Sequence, residues 1–252
     1  MILTAHQPVY LPWLGLFHKI ALADTFVSFN GVQYLPKDWN NRNRIKTADG
    51  CVWLTVPVLT KGHREKPLRA IEINNHDPWR RKHWRSITFA YKKAPHFERY
   101  APFLEQTYNR EWHYLAELND TMLRWFSQEL GIKVDFIDGS EMQLEGSKSE
   151  LVLDMCRKLG ADAYIFGALG RDYANVADFE AAGISVVFQD YKHPEYPQLH
   201  GGFQSHLSVL DLLMNCGERS KEILMAGNMS RPDLLGRIPR IALECTLKAE
   251  DL

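Results

Sequence analysis

The sequence predicts an α/β fold: a mostly parallel sheet with flanking helices and a helical insertion at about 77–131. Three observations carry this expectation. Short apolar runs alternate with helical stretches from Ile2 onward, the order in which parallel strands are joined by helices. The stretch 77–131 reads as successive helices with no strand between them. The chain has 252 residues, 45 % hydrophobic and 24 % charged. That is enough for one core without staples, and it excludes a disordered, a collagen-like or a highly basic nucleic-acid-coating chain.

The elements follow in order. Residues 2–5 are apolar and read as a buried strand, ended by His6-Gln7-Pro8. A helix over 14–23 and a strand over 25–29 complete a strand–helix–strand unit. The polar, basic, turn-rich segment 36–50 reads as a loop. Residues 52–58 are β-branched and read as a strand, with Pro57 near its end, and 70–73 as a further short strand. Asp77-Pro78 has the form of an N-cap followed by proline, opening a helix to about 92. Pro95 ends it, and helices over 96–108 and 112–130 follow. The last carries Leu115, Leu118, Met122, Trp125, Phe126 and Leu130 at helical spacing and stops at Gly131.

Alternation then resumes. Strands are expected over 133–137, 163–166 and 184–188. Ser147 to Glu150 has capping-box form and opens a helix to about 159. A short helix covers 176–182. After a long loop, 189–204, helices are expected over 207–216 and near 221–225. Residues 226–252 carry weak signals and read as a C-terminal appendage of a single domain spanning 1–252.

The charge total of −1 conceals two opposed blocks. Residues 37–99 hold 15 Lys/Arg against 6 Asp/Glu, and residues 100–191 hold 7 against 16. The basic block is either an anion-binding surface or simply the packing partner of the acidic one. Four cysteines, at 51, 156, 216 and 245, show no C-x-x-C spacing and read as reduced, mostly buried thiols. No basic stretch with a long apolar run opens the chain, and no apolar run approaches the ~20 residues that span a bilayer. The expectation is a cytoplasmic protein that contacts neither membrane nor nucleic acid, with its oligomeric state left open.

In open parallel sheets ligands bind outside the carboxyl ends of the strands. His6, Gln7 and Tyr10 follow the first strand. Gly170, Arg171, Asp172 and Tyr173 follow the strand at 163–166. His193, Tyr196 and Gln198 follow the strand at 184–188. His6, Asp172 and His193 are the candidate catalytic residues, since imidazole titrates near neutrality and a carboxylate can assist it. Arg171 suits a carboxylate or phosphate. Asn41, Arg42, Asn43 and Arg44 offer alternating donors for a phosphate, and Lys82 and His83 are expected to face the same site. Each has a plainer alternative: a loop-holding histidine, a tight turn with an Arg–Asp pair, or a solvated basic loop. The phosphate-loop, dinucleotide, nucleophile-elbow and zinc signatures are absent. No tightly bound metal or cofactor is expected.

A set of motifs resembles the WbqC-like protein family. They are His6-Gln7-Pro8 with Tyr10-Leu11-Pro12-Trp13-Leu14-Gly15, Ala23-Asp24, Asn41-Arg42-Asn43-Arg44 and the run Trp53 to Val58. Further on come Gly167-x-x-Gly170-Arg171-Asp172-Tyr173, His193-Pro194-x-Tyr196-Pro197-Gln198, Gly202-Phe203 and Leu207-Ser208-x-x-Asp211-Leu212-Leu213. The resemblance covers about 1–225. It implies a place in bacterial O-antigen or other surface-polysaccharide gene clusters, and a role in attaching glycine or a related acyl group to an amino sugar. The opening strand, His6-Gln7-Pro8, helix and Ala23-Asp24 also resemble the start of HIGH-type nucleotidylyltransferases and pantothenate synthetases. Tyr10 and Trp13 stand where those enzymes have two histidines, and Pro12 replaces their glycine. This second likeness implies a nucleotidylyltransferase- or Rossmann-like topology, with ATP as a candidate cosubstrate. The leading expectation is an amide-forming transferase or ligase acting on a nucleotide-linked amino sugar. The alternatives are an ATP-dependent acyl-activating enzyme and a non-catalytic binding or assembly protein.

Overall fold

The structure, a computed structural model, describes residues 1–36 and 38–238. The chain opens with β1 (Ile2–His6), α1 (Leu14–Leu22) and β2 (Thr25–Ser28), continues into β3 (Arg42–Thr47) and β4 (Gly50–Thr55), and then into α2 (Trp79–Tyr91), α3 (Phe97–Asn109) and α4 (Leu115–Glu129). The second half holds β5 (Asp135–Asp138), α5 (Ser149–Leu159), β6 (Ala163–Phe166), α6 (Val176–Ala181), β7 (Ser185–Phe188), α7 (Val209–Cys216), α8 (Ser220–Met225) and α9 (Arg231–Leu235).

Five strands form one sheet in the order β5-β2-β1-β6-β7, every neighbouring pair parallel. The expected α/β class is the observed one. Because strand side chains alternate between faces, Leu3, Ala5 and Val27 pack with Val152, Met155 and Phe179 of α5 and α6. Phe26, on the other face, joins Phe17 of α1 and Leu118 and Phe126 of α4. The β1 strand is therefore covered by helices on both sides, and its residues 2–5 are fully buried.

Several local expectations are corrected. Arg42–Thr47 is a strand, not part of a loop. It pairs antiparallel with Gly50–Thr55 as a separate hairpin, so the strand expected at 52–58 begins earlier and lies outside the main sheet. Gly50 takes a φ of 110°, open to glycine, after the Ala48-Asp49 turn. Residues 68–70 form a 3₁₀ turn where a strand at 70–73 was expected, with only single bridges at Ile73 and Glu72. Asp77 does not cap α2; its carboxylate accepts from Lys82 at 2.8 Å. Ser147 caps nothing by its side chain. Lys148, at φ 49°, precedes α5, and the Ser149 hydroxyl accepts the Asn175 N–H.

Residues 226–238 are not peripheral. Ser230 and Asp233 form a reciprocal capping box on α9, and Leu234 and Ile238 bury against Ile2, Leu22 and Ala163. Cys51 is exposed, against expectation, while Cys156 and Cys216 are buried. Residues 239–252, Cys245 among them, lie outside the described residues. No helix among the described residues is long and apolar enough to cross a membrane.

Candidate functional site

The strand order places β1 between β2 and β6. Beyond β1 the connection runs to α1 on one face, and beyond β6 it runs to α6 on the other. Such a reversal opens a crevice at the carboxyl ends of the two strands, the usual ligand position in doubly wound sheets. His6 ends β1 at this point.

His6 Nδ1 donates to the Gln7 carbonyl at 2.8 Å, which leaves the Nε2 lone pair directed elsewhere, with no hydrogen bond among the described residues. Burial, reinforced by the nearby Lys19 charge, holds its pKa down at about 4, so the ring is neutral. Lys19 reaches from α1 to donate to the Ala5 carbonyl at 2.9 Å. It is buried, and burial lowers its pKa to about 8. Ser28 stands beside His6 in the β1–β2 register and donates to Asp120 Oδ1 of α4 at 2.9 Å. Burial raises Asp120 to about 6, with the Ser28 hydrogen bond and Arg124 opposing and Asp138 adding. A neutral imidazole and a carboxyl titrating near neutrality thus flank one strand-end pair. Gln7 accepts from Asn40 at 3.2 Å, and the Asn40 carbonyl accepts from Asn119 at 2.8 Å. The amide oxygens of Asn30, Asn40 and Asn119 are buried without a protein donor. Acceptors in that state are satisfied by water or a ligand.

A second feature adjoins the first. Trp13 meets the His6 ring edge-on at 5.3 Å, Trp39 lies 5.8 Å from Trp13, and Trp53 lies 5.6 Å from Trp39. On β3 the period-2 alternation turns Asn43 and Ile45 inward and Arg42 and Arg44 outward. Both guanidinium groups sit over Trp53, at 4.6 and 5.5 Å from its ring centre. Arg44 donates through Nη2 to the His206 carbonyl, while its Nε is buried without a partner. Asn41 and Asn43 spend their amide N–H groups on the Val56 and Leu11 carbonyls and hold the hairpin to the strand-end loop.

The other candidates are distributed unevenly. Arg171 stacks on Phe188 at 4.7 Å and Tyr173 packs edge-on to Phe166. Both partners belong to the α5/α6 face, opposite His6. Asp172 is exposed and has no hydrogen bond or ion pair among the described residues. Gly170 is glycine for packing: a Cβ there would lie 2.5 Å from the Phe166 side chain. His193 donates from Nδ1 to the Pro194 carbonyl at 2.9 Å and keeps a buried, unpartnered Nε2. Burial lowers its pKa. It packs with Tyr196, Phe203 and His206. This loop packs on α1 through Tyr191, whose ring lies tilted against His18 at 5.1 Å and closes on Gly15 beside Trp13. Tyr196 lies against Asp211, and Gln198 binds both backbone groups of Gln204. No hydrogen bond joins His6, Asp172 and His193 to one another among the described residues.

Three candidates lie away from the crevice. Tyr10 is fully buried, and its hydroxyl hydrogen-bonds His83 Nδ1 at 2.8 Å and the Tyr108 hydroxyl. His83 is buried with it. Lys82 points to solvent from α2 and pairs with Asp77. Sequence reasoning also missed Lys19, Ser28, Asp120, Trp13, Trp39 and Trp53. Asp120 did leave a signal: it falls on the Ala116–Leu123–Ser127 face of α4, where a carboxylate interrupts an otherwise buried stripe.

A cleft of about 500 Å³ opens at the opposite end of the sheet, at the amino ends of β2 and β5, near Asp24, Lys133, Lys221 and Arg231. Two of its cations are engaged with protein groups, Arg231 with Asp24 and Lys221 with the Gly131 carbonyl. Among the described residues no three His, Cys, Asp or Glu side chains converge as a metal-ligand set.

The sequence model of the WbqC-like protein family matches residues 7–223 of this chain. The uncharacterized protein Rv1507c of Mycobacterium tuberculosis (strain ATCC 25618 / H37Rv) is 37 % identical over 220 residues. That match covers 86 % of this chain and 95 % of the relative. No solved structure gives a significant match.

Proposed function

The chain belongs to the WbqC-like protein family, and we propose that it is an enzyme forming an amide on a nucleotide-linked amino sugar in surface-polysaccharide synthesis. The observation that carries this reading is the pairing of a neutral His6, at the carboxyl end of β1, with the Arg42/Arg44 face of the hairpin joined to it through Trp13, Trp39 and Trp53. The arginines suit a diphosphate. The neutral His6 imidazole suits removal of the proton that the attacking amine sheds as its bond to the acyl carbon forms. The amine nitrogen bonds to the acyl carbon, the activating group leaves with its bonding electrons, and the displaced N–H proton passes to His6 Nε2. In this reading the Asp120 carboxyl, hydrogen-bonded to Ser28 on the strand beside His6, shares or returns that proton. An activated acyl donor is required, made in place with ATP or supplied ready-made. Arg171 and His193 are retained as donor-side candidates, for a carboxylate and as a second base.

The test is calorimetric titration with UDP-linked and dTDP-linked amino sugars, followed by mass-spectrometric detection of the amide with glycine and ATP or with glycyl thioester. Binding that weakens at least tenfold in Arg44→Gln, with product lost in His6→Ala, supports the reading. Absence of nucleotide-sugar binding sinks it. A non-catalytic binding or assembly role is favoured by one observation, the lack of any hydrogen bond among His6, Asp172 and His193. Tight binding with no turnover across the donor panel would select it.

A further inference from the structure

We propose that the Trp13–Trp39–Trp53 ladder is a binding subsite that orients the substrate, stacking the nucleobase at its Trp53 end and directing the sugar to His6. The inference rests on the nucleotide-sugar reading above and adds to it which end of the substrate lies where.

The ladder is assembled from three distant segments: the loop after β1, the loop before β3, and β4. Its successive ring centres are 5.8 and 5.6 Å apart and tilted by 52° and 40°, a stepped row with no two rings face to face. The inner end touches His6 and the outer end is open: Trp53 is 45 % exposed. Arg42 and Arg44 lie over part of this ring, and its exposed remainder, carried on a rigid hairpin, offers a stacking surface, because every base has a π-face. The hairpin is held rigid by a full antiparallel ladder, by Asn43 on the Leu11 carbonyl and by the Ser208 N–H on the Arg44 carbonyl.

Charge is arranged along the same row. Arg42 and Arg44 sit beside the exposed ring, and the buried Nε of Arg44 has no acceptor. The two guanidinium groups put positive charge beside the ring, where a diphosphate attached to the base would lie. Base on Trp53, phosphates beside the two arginines, sugar against Trp13 and the His6 imidazole is the one order that spends each group on matching chemistry. In the reverse order a neutral base would face His6, and the sugar amine, cationic at neutral pH, would lie beside two guanidinium groups.

The experiment is isothermal titration of the full chain with UDP, dTDP, GDP, CDP and inorganic pyrophosphate. It is run on the unaltered protein and on Trp53→Ala, Trp53→Phe and Arg44→Gln. All three substitutions are on the outer face of the hairpin, and melting temperatures check that each variant is folded. At least one nucleoside diphosphate is expected to bind. Trp53→Ala should weaken it tenfold or more, Trp53→Phe less than threefold, and Arg44→Gln tenfold or more. Pyrophosphate should respond to Arg44→Gln and not to Trp53→Ala. Nucleotide affinity within twofold of the unaltered protein in Trp53→Ala overturns the subsite, as does an equal loss for pyrophosphate. The outcomes separate the two claims. Ring-dependent nucleotide binding without amide formation keeps the subsite and removes the proposed activity. His6-dependent amide formation with no nucleoside diphosphate bound does the reverse.

Discussion

The loop after β1 sends Tyr10 inward and Trp13 outward, and the aromatic clusters they join behave as opposites. Inside, Tyr10, Trp79, His83 and Tyr108 are all buried and hydrogen-bonded to one another, to the Asn75 side chain or to backbone. At the rim, Trp13, Trp39 and Trp53 step outward to a half-open ring with guanidinium groups over it. The residue types overlap, with aromatic rings in both neighbourhoods. Enclosure separates their roles. Sealed from water, each polar atom must find a protein partner and the cluster serves stability. At the rim, a half-exposed indole with positive charge beside it remains for something else to meet.

This contrast can be broken by substitution and by pH. The largest effect is expected from Trp79→Ala, which empties a site that is 1 % exposed. A loss of about 3–5 kcal/mol of folding stability is expected, read from urea denaturation. A loss below about 1 kcal/mol would mean the inner cluster is not the packed element described.

Acid comes next. His83 has its pKa lowered to about 4, by burial above all, and in the unfolded chain it titrates near 6.5. The unfolded state therefore binds the extra proton first. The stability from the neutral ring is complete above pH 6.5 and is lost as pH falls toward 4, by up to about 3 kcal/mol. His6, lowered to about 4, adds to this in the same direction. Asp120, raised to about 6, works against it: its folded form favours the neutral acid, so its contribution is lost as pH rises from about 3.8 to 6. The denaturation midpoint should fall between pH 6.5 and 4, with a shallower fall in His83→Gln. An unchanged slope in that variant would place the effect elsewhere.

Tyr10→Phe removes one hydroxyl from the inner network and leaves His83 Nδ1 and the Tyr108 hydroxyl without it. A cost of about 1–3 kcal/mol is expected from thermal or urea unfolding. Asp120→Asn keeps a hydrogen-bond acceptor for Ser28 and removes a poorly hydrated charge, so stability at pH 7.5 should hold within about 1 kcal/mol or rise. Amide formation should fall by at least tenfold in the same variant if Asp120 moves a proton. At the rim, Trp53→Ala and Arg44→Gln should change stability by less than about 0.5 kcal/mol while weakening nucleotide binding. A stability loss there as large as for Tyr10→Phe would erase the distinction between the clusters.

The main sheet was legible because its strands are local: a few apolar residues bounded by Gly, Pro or polar turns, with helices between them. The strand β3 was not, because its inward residues include Asn43 and its outward ones are arginines, a polar alternation that reads as a loop until its partner is known. The Asp49-Gly50 turn was the available sign of a hairpin. For the site, position at a strand end correctly marks where His6 and Gln7 stand. It says nothing of burial, so Tyr10 and His83 were expected to face a ligand and are found inside. Lys82 was placed with them although adjacent helix positions face different ways.

What the sequence determined by itself is the α/β class, the parallel order of alternating strands and helices, and the ends at which polar loops emerge. These follow from hydrophobic period and turn chemistry over short spans. Only the tertiary structure decided which polar and aromatic residues meet. Trp13, Trp39 and Trp53, like Ser28 and Asp120, come together across separations that no local pattern encodes. The physical reason is that burial and partnership are properties of the packed neighbourhood. The same imidazole or indole is core or site according to what encloses it.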